Sequence, residues 1–132
     1  MGRQLSLLLD THALIWWLLA SSRLSSVARD AIADPDNAIW VSAVSGFEVT
    51  RKFQLGKLPE ADNFAGNVGG FVVGEGFQLM DIAMGHAELA GRFSHPHRDP
   101  FDRLLIAQAL IEDMTLVSNE RLFDGFGVKR LW

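Results

Sequence analysis

The chain has 132 residues, with 12 lysines and arginines against 16 aspartates and glutamates, so its formal net charge is −4 and its pI is near 5.5. This length and the 48% of apolar residues fit one globular domain over residues 1–132 and exclude a disordered chain. The lack of cysteine excludes a disulfide scaffold and a cysteine-ligated zinc site, and the acidic charge argues against a histone-like binder but not against a nucleic-acid enzyme.

The first half of the chain predicts two short buried strands, each followed by helical sequence. Residues 5–9 are an apolar run too short for a helix, and they predict a strand buried on both faces. A helix is predicted over 13–19, and a second one begins at Ser25 or Ser26 and ends at Ala33, before a turn rich in Asp, Pro and Asn. Residues 38–41 predict the second strand, and a helix capped by Ser42 or Ser45 follows it as far as Gly56.

The second half continues the alternation. A weak, glycine-containing helix is predicted over 63–73, a strand over 77–80 and a helix over 83–93, with Asp81 as a candidate N-cap. A polar loop over 94–100 leads into the strongest helix, 102–114, and two further strands are predicted over 115–117 and 128–132. Strands that alternate with helices indicate an α/β fold with a mostly parallel sheet of four to five strands.

The N-terminal apolar stretch over residues 5–20 has the hydrophobicity of a signal peptide. Asp10 and His12 interrupt it, however, and a charge inside such a short apolar region is costly. No other run reaches the roughly 20 apolar residues that span a bilayer. We therefore expect a cytoplasmic protein with no membrane partner, and the lack of cysteine is compatible with that.

Acidic residues fall at or shortly after the carboxyl ends of the predicted strands, which is where open α/β sheets form their sites. These acids are Asp10, Glu48, Asp99, Asp102 and Glu120. Asp10 is the most unusual of them, because a carboxylate inside an apolar stretch needs a partner or an ion. Converging carboxylates repel one another, and an all-oxygen ligand set suits Mg²⁺ or Mn²⁺. One or two such ions can activate water and stabilise the in-line cleavage of a phosphodiester.

Four segments in order resemble the motifs of PIN-domain nucleases. They are residues 7–12 (LLLDTH), 41–49 (VSAVSGFEV), 97–109 (HRDPFDRLLIAQA) and 116–120 (LVSNE), and the end of the chain, 127–132 (GVKRLW), is also similar. Together the motifs cover essentially the whole chain, and the third is the most specific. Within this family, the size and the style of the motifs are most similar to VapC toxins of type II toxin–antitoxin pairs.

The resemblance assigns a role to each acid. Asp10, Glu48 and Asp102 match the first three core acids of the family, and Asp99 is the extra acid of an Asp-Pro-Phe-Asp subgroup. Glu120 stands where aspartate is commoner, and its longer side chain would hold the ion either directly or through water. The predicted catalytic set is therefore these five acids, with the first four as the metal ligands.

The resemblance also implies the architecture and the biochemistry. It implies a three-layer α/β/α domain, Mg²⁺- or Mn²⁺-dependent cleavage of RNA with one or two ions, and a VapB-like antitoxin in a homodimer or a toxin–antitoxin hetero-oligomer. Thr11 and Ser118 match small hydroxyl positions beside the site, where they would orient acids or bound water.

Several alternatives stay open at this stage. One is a PIN-like domain that binds RNA or a protein without cutting. Another is a haloacid-dehalogenase-type phosphatase, which also begins with a motif like residues 10–12 but generally has a second aspartate where this chain has His12. His95 and His97 are interpreted as surface histidines and not as a metal pair, because no third imidazole accompanies them, although His97 could lie near phosphate.

Basic residues near two of the motifs are candidates for contacts with an RNA backbone, against the alternative of a solvated basic surface. They are Arg51, Lys52 and Lys57 after Glu48, and Arg98 and Arg103 in the third motif.

Overall fold

A computed structural model describes residues 4–132 and places a parallel sheet at the centre of the fold. The strands of the described part are β1 (Ser6–Leu9), β2 (Ala38–Ser42), β3 (Gln78–Met80), β4 (Thr115–Val117) and β5 (Arg130–Leu131). The helices are α1 (Thr11–Leu18), α2 (Ser26–Ala33), α3 (Ala43–Gln54), α4 (Val68–Gly74), α5 (Met84–Arg92) and α6 (Pro100–Ile111), with 3-10 turns at Pro59–Ala61 and Arg121–Phe126.

The strands lie in the order β3-β2-β1-β4-β5, and every neighbouring pair is parallel. The predicted α/β class and the parallel sheet are thus confirmed. Within residues 4–132 the sheet contains five strands and is wholly parallel. In such a sheet all carboxyl ends meet at one edge, so the segments that follow β1, β2 and β4 are brought together there.

Alternate residues of the central strand β1 pack on opposite faces of the sheet. Leu7 and Leu9 belong to the cluster formed with α1, α2 and α4, whereas Leu8 belongs to the cluster formed with α6. All three leucines are completely buried. Helices therefore cover both faces, which is the predicted three-layer α/β/α arrangement and explains why the central strand β1 is apolar on both sides from Leu7 to Leu9.

Two helix starts follow the predicted caps. The Ser25 hydroxyl accepts a hydrogen bond from the Ala28 amide (3.0 Å), and the Ser42 hydroxyl accepts one from the Val44 amide (3.0 Å). Each cap satisfies an amide that the first helical turn leaves without a backbone partner.

Other predicted boundaries were wrong. The helix expected over 63–73 begins only at Val68, because Gly66 adopts a left-handed conformation (φ 81°) and ends the preceding turn. The strongest helix begins at Pro100 and ends at Ile111, displaced from the expected 102–114, since Asp99 and not Asp102 provides its cap. Asp81 does not cap α5. The imidazole of His86 does so, by accepting a hydrogen bond from the Ala83 amide (2.9 Å).

Within residues 4–132, every helix is too short or too polar to cross a membrane.

Candidate active site

Asp10 combines two local roles at the end of β1. It is only 5% exposed, and it is the N-cap of α1, where its Oδ1 atom accepts a hydrogen bond from the Ala13 amide (2.8 Å). Its own amide donates to the carbonyl of Val117 at the end of β4 (3.0 Å). The carboxyl group is therefore fixed both by the sheet and by the first turn of α1.

Glu48 reaches the same edge of the sheet from α3. The Thr11 hydroxyl donates a hydrogen bond to Glu48 Oε1 (2.6 Å) and lies 3.0 Å from the Ser45 hydroxyl. Because a hydroxyl has one proton, Ser45 must be the donor to Thr11 when Thr11 donates to the glutamate. Thr11 and Ser45 are both buried, so this chain of hydrogen bonds sets the position of Glu48.

Asp99 and Asp102 lie at the start of α6. Asp99 is the N-cap and accepts hydrogen bonds from the amides of Phe101 (2.9 Å) and Asp102 (3.2 Å). Asp102 lies in the first helical turn, and its Oδ2 atom is 2.9 Å from His97 Nε2. The helix start therefore brings both carboxylates to one place, although only Asp102 is helical.

The segment after β4 supplies Glu120. The buried Ser118 hydroxyl accepts a hydrogen bond from the Glu120 amide (3.0 Å), and Glu120 Oε1 accepts one from the Leu122 amide (3.1 Å). Glu120 is thus the N-cap of the 3-10 turn that follows β4.

These five acids line one cavity of about 220 Å³, here called the acid cavity. Its other lining residues are Thr11, His12, Trp16, Lys52, Asn119 and Phe123. The fold thus brings together acids that are as far apart in the sequence as Asp10 and Glu120.

Burial makes the charges of three of these acids unfavourable. The pKa of Asp10 is raised above its usual range, mainly by burial, against which hydrogen bonds from Ser118 and the Ala13 amide act. Burial also raises the pKa values of Glu48 and Asp102, although Thr11 and His97 respectively stabilise their charged forms. Repulsion between neighbouring carboxylates adds to the shift in each case. A cation in the cavity would offset these costs.

The donor set fits a hard divalent cation in its chemistry, since it consists of carboxylate oxygens. Among residues 4–132, however, no group of three or more histidine, aspartate or glutamate side chains is arranged so that it could hold a metal ion as it stands. Asp10, Glu48 and Asp102 each have an oxygen engaged by a protein donor. Binding of an ion would therefore require these side chains to adjust within the cavity.

Four of the basic residues selected from the sequence divide into three cases. Lys52 lines the acid cavity, where its charge favours the ionised form of Glu48. Arg51 lines a separate depression around Phe47, and Arg98 is exposed; neither residue lines the acid cavity. Arg103 is turned inward, and its guanidinium donates hydrogen bonds to backbone carbonyls of the 93–97 loop. The structure thus gives Arg103 an internal role in place of the predicted surface one.

The two histidines of the loop are half-buried and not on the open surface, so that interpretation was wrong. The His95 ring stacks on Phe126, with the ring centroids 4.2 Å apart, and the His97 ring meets Phe123 edge-on. Sequence reasoning also overlooked His12 and Trp16 as cavity residues. The available signal was that His12 and Trp16 are four residues apart in the segment that follows Asp10. This spacing places them on one side of α1.

The family model for the PIN domain matches residues 7–129 of this chain. The chain belongs to the PIN-domain family. The predicted resemblance is thereby confirmed, and membership of this family replaces the haloacid-dehalogenase alternative. No curated protein sequence matches the chain.

Solved structures show the same fold at low sequence identity. A chain of VapBC2 from Rickettsia felis, crystallised with a DNA fragment from its promoter, has a TM-score of 0.70 and 14% identity, with 96% of this chain and 98% of that one covered. A chain of DNA-bound VapBC from Salmonella typhimurium gives 0.71 and 16%, with 96% and 97% covered. A toxin–antitoxin complex from Klebsiella pneumoniae gives 0.54 and 20%, with 86% and 85% covered.

The hydrogen bond from Thr11 to Glu48 makes a testable contribution to stability. Thr11→Val keeps the shape of the side chain but leaves a half-buried carboxylate without its donor. We expect a loss of about 1–2 kcal/mol in the free energy of unfolding, since a hydrogen bond to a charged group contributes about that much or more. Urea unfolding at pH 7 measures the loss. Thr11→Ser retains the hydroxyl and is the control, and equal stability of the Val and Ser variants would contradict the expectation.

Proposed function

We propose that this PIN domain is a Mg²⁺- or Mn²⁺-dependent endoribonuclease and acts as the toxin of a VapBC-type toxin–antitoxin pair in the cytoplasm. The observation that carries the proposal is the acid cavity, where five carboxylates from four segments meet at the carboxyl edge of the sheet. Three of them have pKa values raised by burial, so the cavity is built at a cost that a bound cation would offset.

Asp10, Glu48, Asp102 and Asp99 would hold the ion, and Glu120 would complete the site through water. When bound, one or two such ions supply Lewis-acid activation of water and neutralise charge at the phosphodiester during in-line displacement. Thr11 holds Glu48 in place, and His97 orients Asp102 through the 2.9 Å contact. Ser118 stabilises the charged form of Asp10. Lys52 places a positive charge beside the acids, where it would meet a phosphate of the substrate.

The toxin role is supported by the family and by the fold. Several solved structures with this fold are toxin–antitoxin complexes, among them the VapBC assemblies named above. We propose a VapB-like antitoxin as partner, in a homodimer of this chain or a toxin–antitoxin hetero-oligomer. A small gene next to this one that encodes a DNA-binding protein is the genomic observation that would support this pairing.

Cleavage of a single-stranded RNA in the presence of Mg²⁺ or Mn²⁺ tests the activity. We expect cleavage by the wild type with either ion, none after EDTA, and recovery when the ion is restored. Asp102→Asn is expected to lower the rate at least about 100-fold, because loss of a metal ligand removes several kcal/mol of transition-state stabilisation. Asp113→Asn makes the same chemical change at an exposed residue and should leave the rate unchanged.

A second candidate function is binding of RNA without cleavage. It is favoured by one observation, that the acids of residues 4–132 are not already arranged as a metal site. RNA that is bound but left intact at millimolar Mn²⁺ would support this candidate against the nuclease. Cleavage that survives both EDTA and Asp102→Asn would overturn the metal-dependent mechanism.

A further inference from the structure

A second and larger depression, of about 640 Å³, opens beside the acid cavity between α1, α3 and the turn that follows α3. We call it the basic groove. Its charged and aromatic lining comprises His12, Trp16, Arg23, Lys52, Lys57 and Glu60. His12, Trp16 and Lys52 also line the acid cavity, so the two depressions are continuous.

The charges of the two depressions are opposite in sign. Three cations and one acid line the basic groove, whereas five acids and one lysine line the acid cavity. In the part of the chain that the structure describes, no carboxylate lies within 4 Å of the charged group of Arg23, Lys52 or Lys57. Cations that are not neutralised by the protein itself favour a polyanionic ligand in the groove.

An aromatic pair lies where the two depressions meet. The rings of His12 and Trp16 are stacked, with their centroids 5.5 Å apart and their planes 26° from parallel. The centroid of the Trp132 ring lies 5.7 Å from that of Trp16, whereas the His12 side chain is exposed. A supported aromatic pair with one accessible ring is a surface on which an unpaired nucleobase can stack.

We propose that single-stranded RNA passes from the acid cavity into the basic groove, with a base next to the cleaved bond stacked on His12 and Trp16 and the following phosphates bound by Lys52, Lys57 and Arg23. This proposal rests on the proposed nuclease function, because it names the path that the substrate takes away from that site. A duplex would not fit it, since paired bases cannot stack on the aromatic pair. An acidic protein segment is the competing occupant, but its carboxylates would bind the cations without stacking on the aromatic pair.

The path is tested by measuring the fluorescence anisotropy of a fluorescein-labelled single-stranded RNA as it binds the cleavage-deficient Asp10→Asn variant. Adding Arg23→Ala and Lys57→Ala together should weaken binding about tenfold. It should also make the plot of the logarithm of the association constant against the logarithm of the salt concentration less steep by about 1.4, or about 0.7 for each lost phosphate contact. Adding His12→Ala should weaken binding about fivefold or more without changing that slope, because it removes stacking and not a phosphate contact. Trp16 is left intact, since it packs against the core.

Arg92→Ala is the matched control, because it removes an exposed cation from α5, outside the groove lining. Groove variants that bind RNA as tightly as the Arg92→Ala control would overturn the proposal. If they instead lose binding to a labelled hexaglutamate peptide and keep RNA binding, the groove belongs to an acidic protein segment. If the wild type cuts no RNA but the groove variants still lose RNA binding, the nuclease assignment fails and the RNA path stands.

Discussion

Replacing Asp10 by asparagine is expected to stabilise the metal-free protein at pH 7 and, in the same variant, to reduce metal-dependent RNA cleavage at least about 100-fold. The loss of activity follows from the proposed role of Asp10 as a metal ligand, whose contribution to the transition state is several kcal/mol. The gain in stability follows from its burial, since the residue is only 5% exposed and its charge is unfavourable there. Asparagine keeps the cap of α1, because its side-chain oxygen can still accept from the Ala13 amide.

The pH dependence of this stability has a definite sign. The pKa of Asp10 in the folded protein lies above its ordinary value of 3.8, so the folded state binds more protons than the unfolded chain in the interval between the two values. The contribution of Asp10 to the free energy of unfolding of the metal-free wild type therefore falls as pH rises through that interval and stays lower above it. The asparagine side chain of the variant does not titrate, so the stability gap between variant and wild type should open above about pH 4 and widen as Asp10 ionises.

Urea unfolding in EDTA at several pH values measures the gap, and cleavage assays with Mn²⁺ measure the activity. Asp30→Asn, at an exposed position in α2, is the control and should change neither quantity appreciably. A variant that is inactive and also less stable than wild type at pH 7 would show that the ionised Asp10 side chain stabilises the folded state instead of destabilising it. A stable variant with undiminished cleavage would remove Asp10 from the proposed metal site.

Replacing Arg103 by lysine or alanine is expected to lower the free energy of unfolding by about 3 kcal/mol. The guanidinium donates to the carbonyls of Ala90 (3.0 Å), Phe93 (2.6 Å), His95 (2.9 Å) and His97 (2.9 Å), and it lies over the Phe93 ring. Charge-assisted hydrogen bonds contribute about 1.5–3 kcal/mol each, but these four share one donor group and are not additive. Lysine keeps the charge yet cannot reach four carbonyls with one ammonium group.

The same substitution should also reduce cleavage, because the 93–97 loop carries the histidine that contacts Asp102. Urea unfolding and amide hydrogen exchange of residues 93–99 measure the two effects. Arg98→Ala, at an exposed arginine of the same loop, should leave both stability and exchange nearly unchanged. An Arg103→Lys variant as stable as wild type, with weaker RNA binding instead, would restore the surface role that the sequence suggested for Arg103.

Sequence reasoning succeeded where a local pattern has a local cause. Short apolar strands between helices predicted the parallel sheet, and Ser25 and Ser42 capped their helices because the cap needs only amides a few residues away. The same reasoning placed the acids at strand ends, and the topology then brought them into one cavity. Their roles as ligands stay a prediction.

It failed where a distant part of the chain decides the outcome. Arg103 looked like a surface cation, and only the folded loop shows that its hydrogen bonds go to backbone carbonyls on both sides of His95. The start of α6 was missed because Asp99 and Pro100 look like part of a polar loop, whereas a capping aspartate followed by proline is a favourable helix start. The spacing of His12 and Trp16 puts them on one side of α1, but it does not show that this side faces a groove formed with the end of α3.

The order of the strands has a consequence for protein synthesis. Strand β1, which precedes Asp10, pairs with β4 near the far end of the chain, with Leu7 opposite Thr115. Closing so large a loop is slow, and it can begin only after residues 115–117 have left the ribosome. Until β4 has paired with β1, a growing chain that contains Asp10 and Glu48 lacks the strand end that positions Glu120. The acid cavity is therefore completed only after β4 has been synthesised and has paired with β1, and a chain that stops before β4 lacks the strand end that positions Glu120.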